Sequence, residues 1–436
     1  MKFTRNKRLV FTLATLITAG LACSQLEKTV VKEQLEPTSV AIAPTQELEQ
    51  NPEREGVLFE DDFADNSNNW HIGVDADTES VIEDGKFKVR VLIPDDSFYW
   101  FTPPVSVSEV DLSVDTEFTE GAPENIAYGF LCHFKDGDNY HRVRIAPDGT
   151  YAIDKSVNAE KTVLVEWTRS GVINQGIGVI NRIRTICSEG HITLYINDAF
   201  TADVVDTSLS GGSFNLTVGA YANNTNDKNP VAASFSNLTA RKPLAWERPT
   251  ETLLSDSFNN NDNNWDIFEE NGNSAQIENG QLVMRVKDAD SVYRIWPQMT
   301  LSNVDMTFDT VIQEGSQSNA SFGAACRYVN NDNYYSFNMD GDGYYTLRKK
   351  VDGTAETIID WTASTALQPG VGAFNHIRVV CSGNTLELFA NDQLVVSSQD
   401  ASLTTGGFAL QAGRFAIDDA PVSVAFDNLG VNYPEK

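Results

Sequence analysis

Cationic residues are scarce in this chain. Lys and Arg number 32 against 61 Asp and Glu, for a formal net charge of -29. Such a surface repels nucleic acid and anionic lipid headgroups, which excludes nucleic acid as a partner and leaves solubility, divalent cations and basic partners as what the charge favours. Histidine is scarce too. His71, His133, His141, His191 and His376 stand in no Gly-x-Ser-x-Gly or similar context and in no zinc-ligand spacing, so neither a nucleophilic triad nor a zinc centre is legible. His141, in phase with Val143 and Ile145, reads as a satisfied residue near the core. Long apolar runs are confined to Leu9 to Ala22, fewer than the roughly 20 residues a membrane-spanning helix needs. After that run no stretch sustains a helical period, which argues against an α-helical or α/β fold.

What is present first is an address. MKFTRNKR is basic, and the apolar run that follows ends in Gly20-Leu21-Ala22-Cys23, the pattern of a secretory signal. Its removal takes away Lys2, Arg5, Lys7 and Arg8 and makes the mature chain still more acidic. A cysteine at that point resembles the lipobox of bacterial lipoproteins, with small Ala22 before it and Gly20 where an aliphatic residue is usual. The resemblance implies acylation of Cys23, a signal spanning residues 1–23, and membrane attachment only through that N-terminal lipid, at the outer face of the cell membrane or the cell surface. Plain secretion is the alternative. Residues 24–55, rich in Glu, Gln, Pro, Thr and Val and without an aromatic, cannot bury a core and read as a disordered tether.

The remainder is a duplication. YGFLCHFKDGDNYHRVRI, from Tyr128 to Ile145, returns as FGAACRYVNNDNYYSFNM from Phe322 to Met339. DDFADNSNNW matches DSFNNNDNNW, IEDGKFKVRV matches IENGQLVMRV, and NRIRTICSEGHITLYIND matches NHIRVVCSGNTLELFAND. The boundaries follow as one domain over 56–242, a short Pro-bearing linker over 243–249, and a second domain over 250–433. Trp246 in the linker is expected to pack against a domain. Within each copy apolar residues fall mostly on alternate positions, separated by Asp-Gly, Asn-Gly and Gly-Gly turns. That period-two pattern predicts an all-β fold, two tandem antiparallel β-sandwiches of jelly-roll type.

The cysteines are consistent with this. Each copy carries two, at one and the same spacing, in apolar strands and in phase with inward residues such as Tyr128, Phe130 and Ile183. The prediction is a disulfide from Cys132 to Cys187 and another from Cys326 to Cys381, as an exported protein permits; buried free thiols are the alternative.

The Asp/Asn-rich opening before Trp70 and Trp265, the glycine strand, the Asn-Tyr turn, the Trp-Thr segment, the Asn-Arg/His-Ile-Arg strand and the terminal SFSNL and AFDNL together resemble the concanavalin A-like lectin/glucanase superfamily. They are similar in particular to laminin G-like and 3-keto-disaccharide hydrolase-type jelly rolls of bacterial lipoproteins. That superfamily holds lectins, hydrolases and adhesion domains, so the resemblance implies a fold more than an activity. A retaining glycosidase on this fold needs two carboxylates about 5 Å apart. Asp115 and Glu117 share a strand face, but Ser113 breaks the triplet and the second copy offers Asp309 followed by Val311.

With Cys132 inward, alternation places His133 on the opposite face, and Arg327 in the second copy. Tyr140, Arg142 and Arg144 face outward, against Tyr334, Ser336 and Asn338, and Arg184 and Arg378 project opposite their neighbouring cysteines. The resemblance implies a concave outer face on which related domains bind sugars, so these residues, with Tyr99 and Trp100, and Tyr293 and Trp296, form the candidate glycan platform. Rings stack on the C–H face of a sugar and Arg and Asn bond its hydroxyls. The alternative is that the aromatics pack and the arginines offset acidic charge. Calcium is the candidate cofactor, held by Asp61, Asp62 and Asp65 in one copy and Asp256 and Asp262 in the other, with Asp427 brought near by pairing of the first and last strands. Ordinary Asx turns explain the same residues. The DGDG stretch at Asp340 reads as a hairpin turn. The expectation is therefore an exported surface protein with two non-catalytic sugar-binding modules, against a hydrolase of sugar derivatives or an adhesive protein with protein partners.

Overall fold

Alternation in the sequence becomes alternation in burial. In Lys86–Val91 the side chains of Phe87, Val89 and Val91 are buried while Lys86, Lys88 and Arg90 are not, and Val110–Glu120 repeats the pattern over five inward residues. The computed structural model describes residues 56–221, 229–245 and 252–435. Cys23, the signal, the tether and Trp246 lie outside them. Contacts divide the chain into two compact units, parting between the strands Val231–Arg241 and Leu254–Asp256. Among the described residues there is no α-helix, only two single 3₁₀ turns, Pro123–Asn125 and Gln317–Asn319. No helix among them is long and apolar enough to cross a membrane.

Each unit is a sandwich of a broad sheet and a six-stranded one. In the first copy the six-stranded sheet runs Glu160–Arg169, Thr150–Val157, Asn139–Ala146, Ile126–Asp136, Ser213–Ala220, Ser97–Phe101. The second copy repeats it as Thr354–Ala363, Tyr344–Val351, Asn333–Asp340, Ala320–Asn330, Gly407–Arg414, Ser291–Ile295. In both copies the first and last strands pair in the broad sheet, Val57–Asp61 on Val231–Arg241 and Leu254–Asp256 on Val422–Asn432. This is the predicted antiparallel jelly roll.

Both predicted disulfides form, Cys132 to Cys187 and Cys326 to Cys381. Each joins the glycine strand of the six-stranded sheet to a strand of the broad sheet, so it staples the two layers of one sandwich. Disulfides persist in oxidising compartments, which makes this an exported, extracellular type of domain. The glycines earn their place by proximity. A Cβ at Gly129 would lie 2.3 Å from the Val143 carbonyl oxygen, and one at Gly323 would lie 2.0 Å from that of Phe337, so only a bare backbone fits at either crossing. The DGDG stretch is a turn, with Asp340 Oδ1 accepting from the amides of Asp342 and Tyr344.

Candidate functional site

On the six-stranded sheet of the first copy, register fixes which side chains face away from the core. Cys132 pairs with His141, Phe130 with Val143 and Tyr128 with Ile145, all inward. Leu131 therefore shares the outer face with Arg142, and Gly129 with Arg144, while the next strand contributes Ala152, Asp154 and Ser156. Tyr140, Arg142 and Arg144 stand on the outer face as predicted, and so does Trp100, opposite Thr217. They are not loose surface groups. Arg142 Nε and Nη2 donate to the two carboxylate oxygens of Asp154 at 3.0 and 3.1 Å, Arg144 Nη2 adds a bond at 2.6 Å, and Arg144 also reaches the Tyr221 hydroxyl. The guanidinium of Arg142 lies 4.6 Å from the centre of the Phe98 ring, and that of Arg144 lies 4.7 Å from Trp167.

Burial opposes charge on both Arg142 and Asp154, and pairing outweighs it: Asp154 holds Arg142 above its ordinary value, and Arg142 and Arg144 hold Asp154 below its own. A carboxylate held that way cannot be the protonated acid that glycoside cleavage needs. Burial also pushes the Tyr140 hydroxyl up to about 12. Phe98, Leu131 and Tyr140 form one buried cluster with Trp100 and Phe134 packed against it. Asn215, beside Leu131 in register, is fully buried, with neither amide atom paired among the described residues.

The second copy presents a more open version. Arg294, Gln411, Gly323, Asn338 and Thr346 form one cross-strand row, and Ala409, Ala325, Ser336 and Arg348 form the next. Because glycine and alanines floor these rows, Arg294 reaches across them to lie 4.0 Å from the centre of the Tyr334 ring. Tyr334 continues into Tyr328 at 6.2 Å, and Tyr328 into Trp296 at 5.2 Å. All four are half-buried. Arg294 Nε donates to Gln411 Oε1 at 2.9 Å, and Gln411 Nε2 donates to Asn338 Oδ1 at 2.6 Å, which fixes the floor polar groups in place.

Several predicted residues lie elsewhere. His133 and Arg327 are not on the outer face. Pairing slips just past Cys132 and Cys326, and both residues adopt left-handed backbone, with φ of 50° and 47°. This is a β-bulge, which breaks strict alternation and re-aims the side chain. His133 turns inward to His141, Nδ1 to Nδ1 at 2.9 Å, and His141 Nε2 meets Asp206 Oδ1 at 3.1 Å. A carboxylate only accepts, so Nε2 of His141 donates its N–H there, and in the Nδ1–Nδ1 contact one ring nitrogen donates while the other accepts. Burial, with His141 adding to it, lowers His133 to about 4. Arg327 is buried and donates to the carbonyls of Ser302, Leu403 and Gly383, a clamp on loops rather than a ligand group.

Arg184 and Arg378 belong to the broad sheets, where each makes a two-point ion pair, with Asp111 and Asp305. Asp115 is likewise tied to Arg182 and Asn237, and Glu117 to Lys86. Tyr99 and Tyr293 face the other way from Trp100 and Arg294; Tyr293 stacks on Phe268 and donates to Asp288 at 2.8 Å.

The calcium candidates serve turns. Asp61 Oδ1 accepts from the Phe63 amide at 2.7 Å, while its Oδ2 accepts from Trp70 Nε1 at 2.6 Å and from Asn68 at 2.8 Å. Asp256 repeats this with Phe258, Trp265 and Asn263. Asp62 accepts from the Ala64 amide and Asp65 from the Ser67 amide. Asp427 is opposite Asp309, and Asp256 opposite Leu429, so strand pairing brings the two near without merging them in one carboxylate cluster. The group among the described residues with metal-ligand proximity is Cys132, His133 and His141, and there the sulfur is spent in a disulfide.

Residues 254–432 match the family described as the 3-keto-alpha-glucoside-1,2-lyase-like domain, in agreement with the resemblance read from the sequence. No curated protein matches the chain. Among solved structures, a carbohydrate-binding module from Bacillus subtilis is 20% identical, with 38% of this chain and 94% of that one covered and a TM-score of 0.31. The laminarinase catalytic domain of Thermotoga petrophila RKU-1 is 10% identical over 44% of this chain and 100% of its own, with a TM-score of 0.33.

Proposed function

We propose that the chain is an exported, lipid-anchored surface protein whose two jelly rolls bind carbohydrate without cleaving it, each through the outer face of its six-stranded sheet. The observation that carries this reading is the half-buried array Trp296, Tyr328 and Tyr334 with Arg294 laid over the last ring. Rings at 5–6 Å spacing offer successive stacking surfaces to a sugar chain, and guanidinium and amide groups between them offer hydroxyl partners. In the first copy the equivalent face is tighter, with Arg142 and Arg144 locked on Asp154. The two modules are therefore read as unequal binders.

A glycan array probed with the full chain tests this. Binding is expected, weakened by Trp296→Ala and by Tyr334→Ala; an array with no hit from the wild-type chain overturns the reading. Acylation of Cys23 is tested by mass spectrometry of the mature N-terminus, where a mature terminus without acyl chains refutes the anchor.

The family match of residues 254–432 favours one second reading, a hydrolase or lyase acting on a keto-sugar. Release of product from a 3-keto-glucoside by the purified chain would establish it. An inert chain that still binds sugar leaves the binding role standing.

A further inference from the structure

Charge differs between the two outer faces in a way that names a ligand class. In the first copy Asp154 stands in register with Arg142 and neutralises it. In the second copy the same register position holds Arg348, opposite Ser336, so the duplication has exchanged a carboxylate for a cation. Arg348 is exposed and takes part in none of the ion pairs of that copy among the described residues, which run from Arg285, Lys349, Lys350, His376 and Arg378. Arg294, on the adjoining row, is also outside those pairs. Its one side-chain hydrogen bond among the described residues goes to the neutral amide of Gln411, and a guanidinium has five N–H groups to give. Lys350, also on this face, is matched by Asp332 at 2.8 Å.

Arg294 and Arg348 thus place two cations without carboxylate partners on the face that carries the aromatic array, in a chain of net charge -29. Exposed charges farther off than a Debye length of about 8 Å are largely screened at physiological ionic strength, so the local sign decides what this face attracts. We infer that the outer face of the second copy selects acidic carbohydrate: a chain whose rings stack on Trp296, Tyr328 and Tyr334 and whose carboxylate or sulfate groups meet Arg294 and Arg348. Planar guanidinium groups suit such oxyanions because two parallel N–H bonds reach two oxygens at once. In the first copy Arg142 and Arg144 both pair with the carboxylate of Asp154, so the same preference should be weaker there. This inference rests on the reading that the face binds carbohydrate.

The test uses the full chain on immobilised polymers: a neutral glucan, a polyuronate, a sulfated polysaccharide, and polystyrene sulfonate as a polyanion that is not a sugar. The expected result is retention on the polyuronate or the sulfated polymer at least about tenfold stronger than on the glucan, the better of the two identifying the anion. Arg294→Gln with Arg348→Gln should abolish that preference, and Arg294→Lys with Arg348→Lys should restore part of it. Unchanged melting of these variants shows that the fold is intact. Binding to the glucan alone, or acidic binding that survives both glutamines, overturns the charge inference while the carbohydrate reading stands. Equal retention on polystyrene sulfonate reduces the effect to ion exchange and overturns the inference as well. No binding to any of the three sugars removes both.

Discussion

Single residues explain why the opening motif of each copy repeats so faithfully. Asp61 and Asp256 are buried acceptors that close an Asx turn on Phe63 and Phe258, hold the indole N–H of Trp70 and Trp265, and anchor Asn68 and Asn263. An aspartate two positions before a phenylalanine and nine before a tryptophan is thus a structural clasp. Asp61→Ala should cost about 2 to 3 kcal/mol, because it orphans a buried indole donor and a backbone amide, and chemical denaturation checks this. His133 gives a second prediction at this scale. Its folded pKa near 4 lies below the ordinary 6.5, so between those values the unfolded chain carries a proton there that the native state does not. Stability contributed by the neutral ring is complete above about 6.5 and is lost as pH falls toward 4, by up to about 3 kcal/mol. Denaturation midpoints across that range should fall in wild type and fall less in His133→Asn. Arg327 replaces this residue in the second copy, which should lack that term.

Strands and their bulges mark where the sequence was readable. Alternation over Val110–Glu120 and Ile126–Cys132 is unbroken, so inward and outward sides, both disulfides, and Tyr140, Arg142, Arg144 and Trp296 on the outer face could be read directly. Asp154 and Arg348 were within reach of the same counting, opposite the phase of Ile153 and Leu347, but an acid or base on a strand looks like ordinary solvated charge. The bulge at His133 and Arg327 was not legible, because one left-handed residue shifts every later side chain and no glycine marks it. Tyr328, which follows that bulge, was missed for the same reason. The elements also carry the disulfide prediction. Closing a loop of this length is worth about 4 kcal/mol by chain entropy, so Cys132→Ala with Cys187→Ala should destabilise the first copy by about that amount. Calorimetry should show its transition shifted down and that of the second copy, which keeps its own bridge and core, in place.

At the scale of the whole molecule, one duplicated sandwich has been tuned in two directions. The broad sheets keep the same lattice of outward ion pairs, Arg184 with Asp111 and Arg378 with Asp305, as solubilising surface. The six-stranded sheets diverge, one into a face where Arg142 and Arg144 share the Asp154 carboxylate and the other into an aromatic array with open cations. The proposed reading takes these two faces as unequal binding modules on one duplicated scaffold. The most direct measurement is an isothermal titration of the full chain with its best-bound oligosaccharide, beside the Trp296→Ala chain. Removing the terminal ring of the array should weaken binding about tenfold or more while melting stays unchanged. Affinity identical in the two chains would contradict the assignment of this face as the binding site.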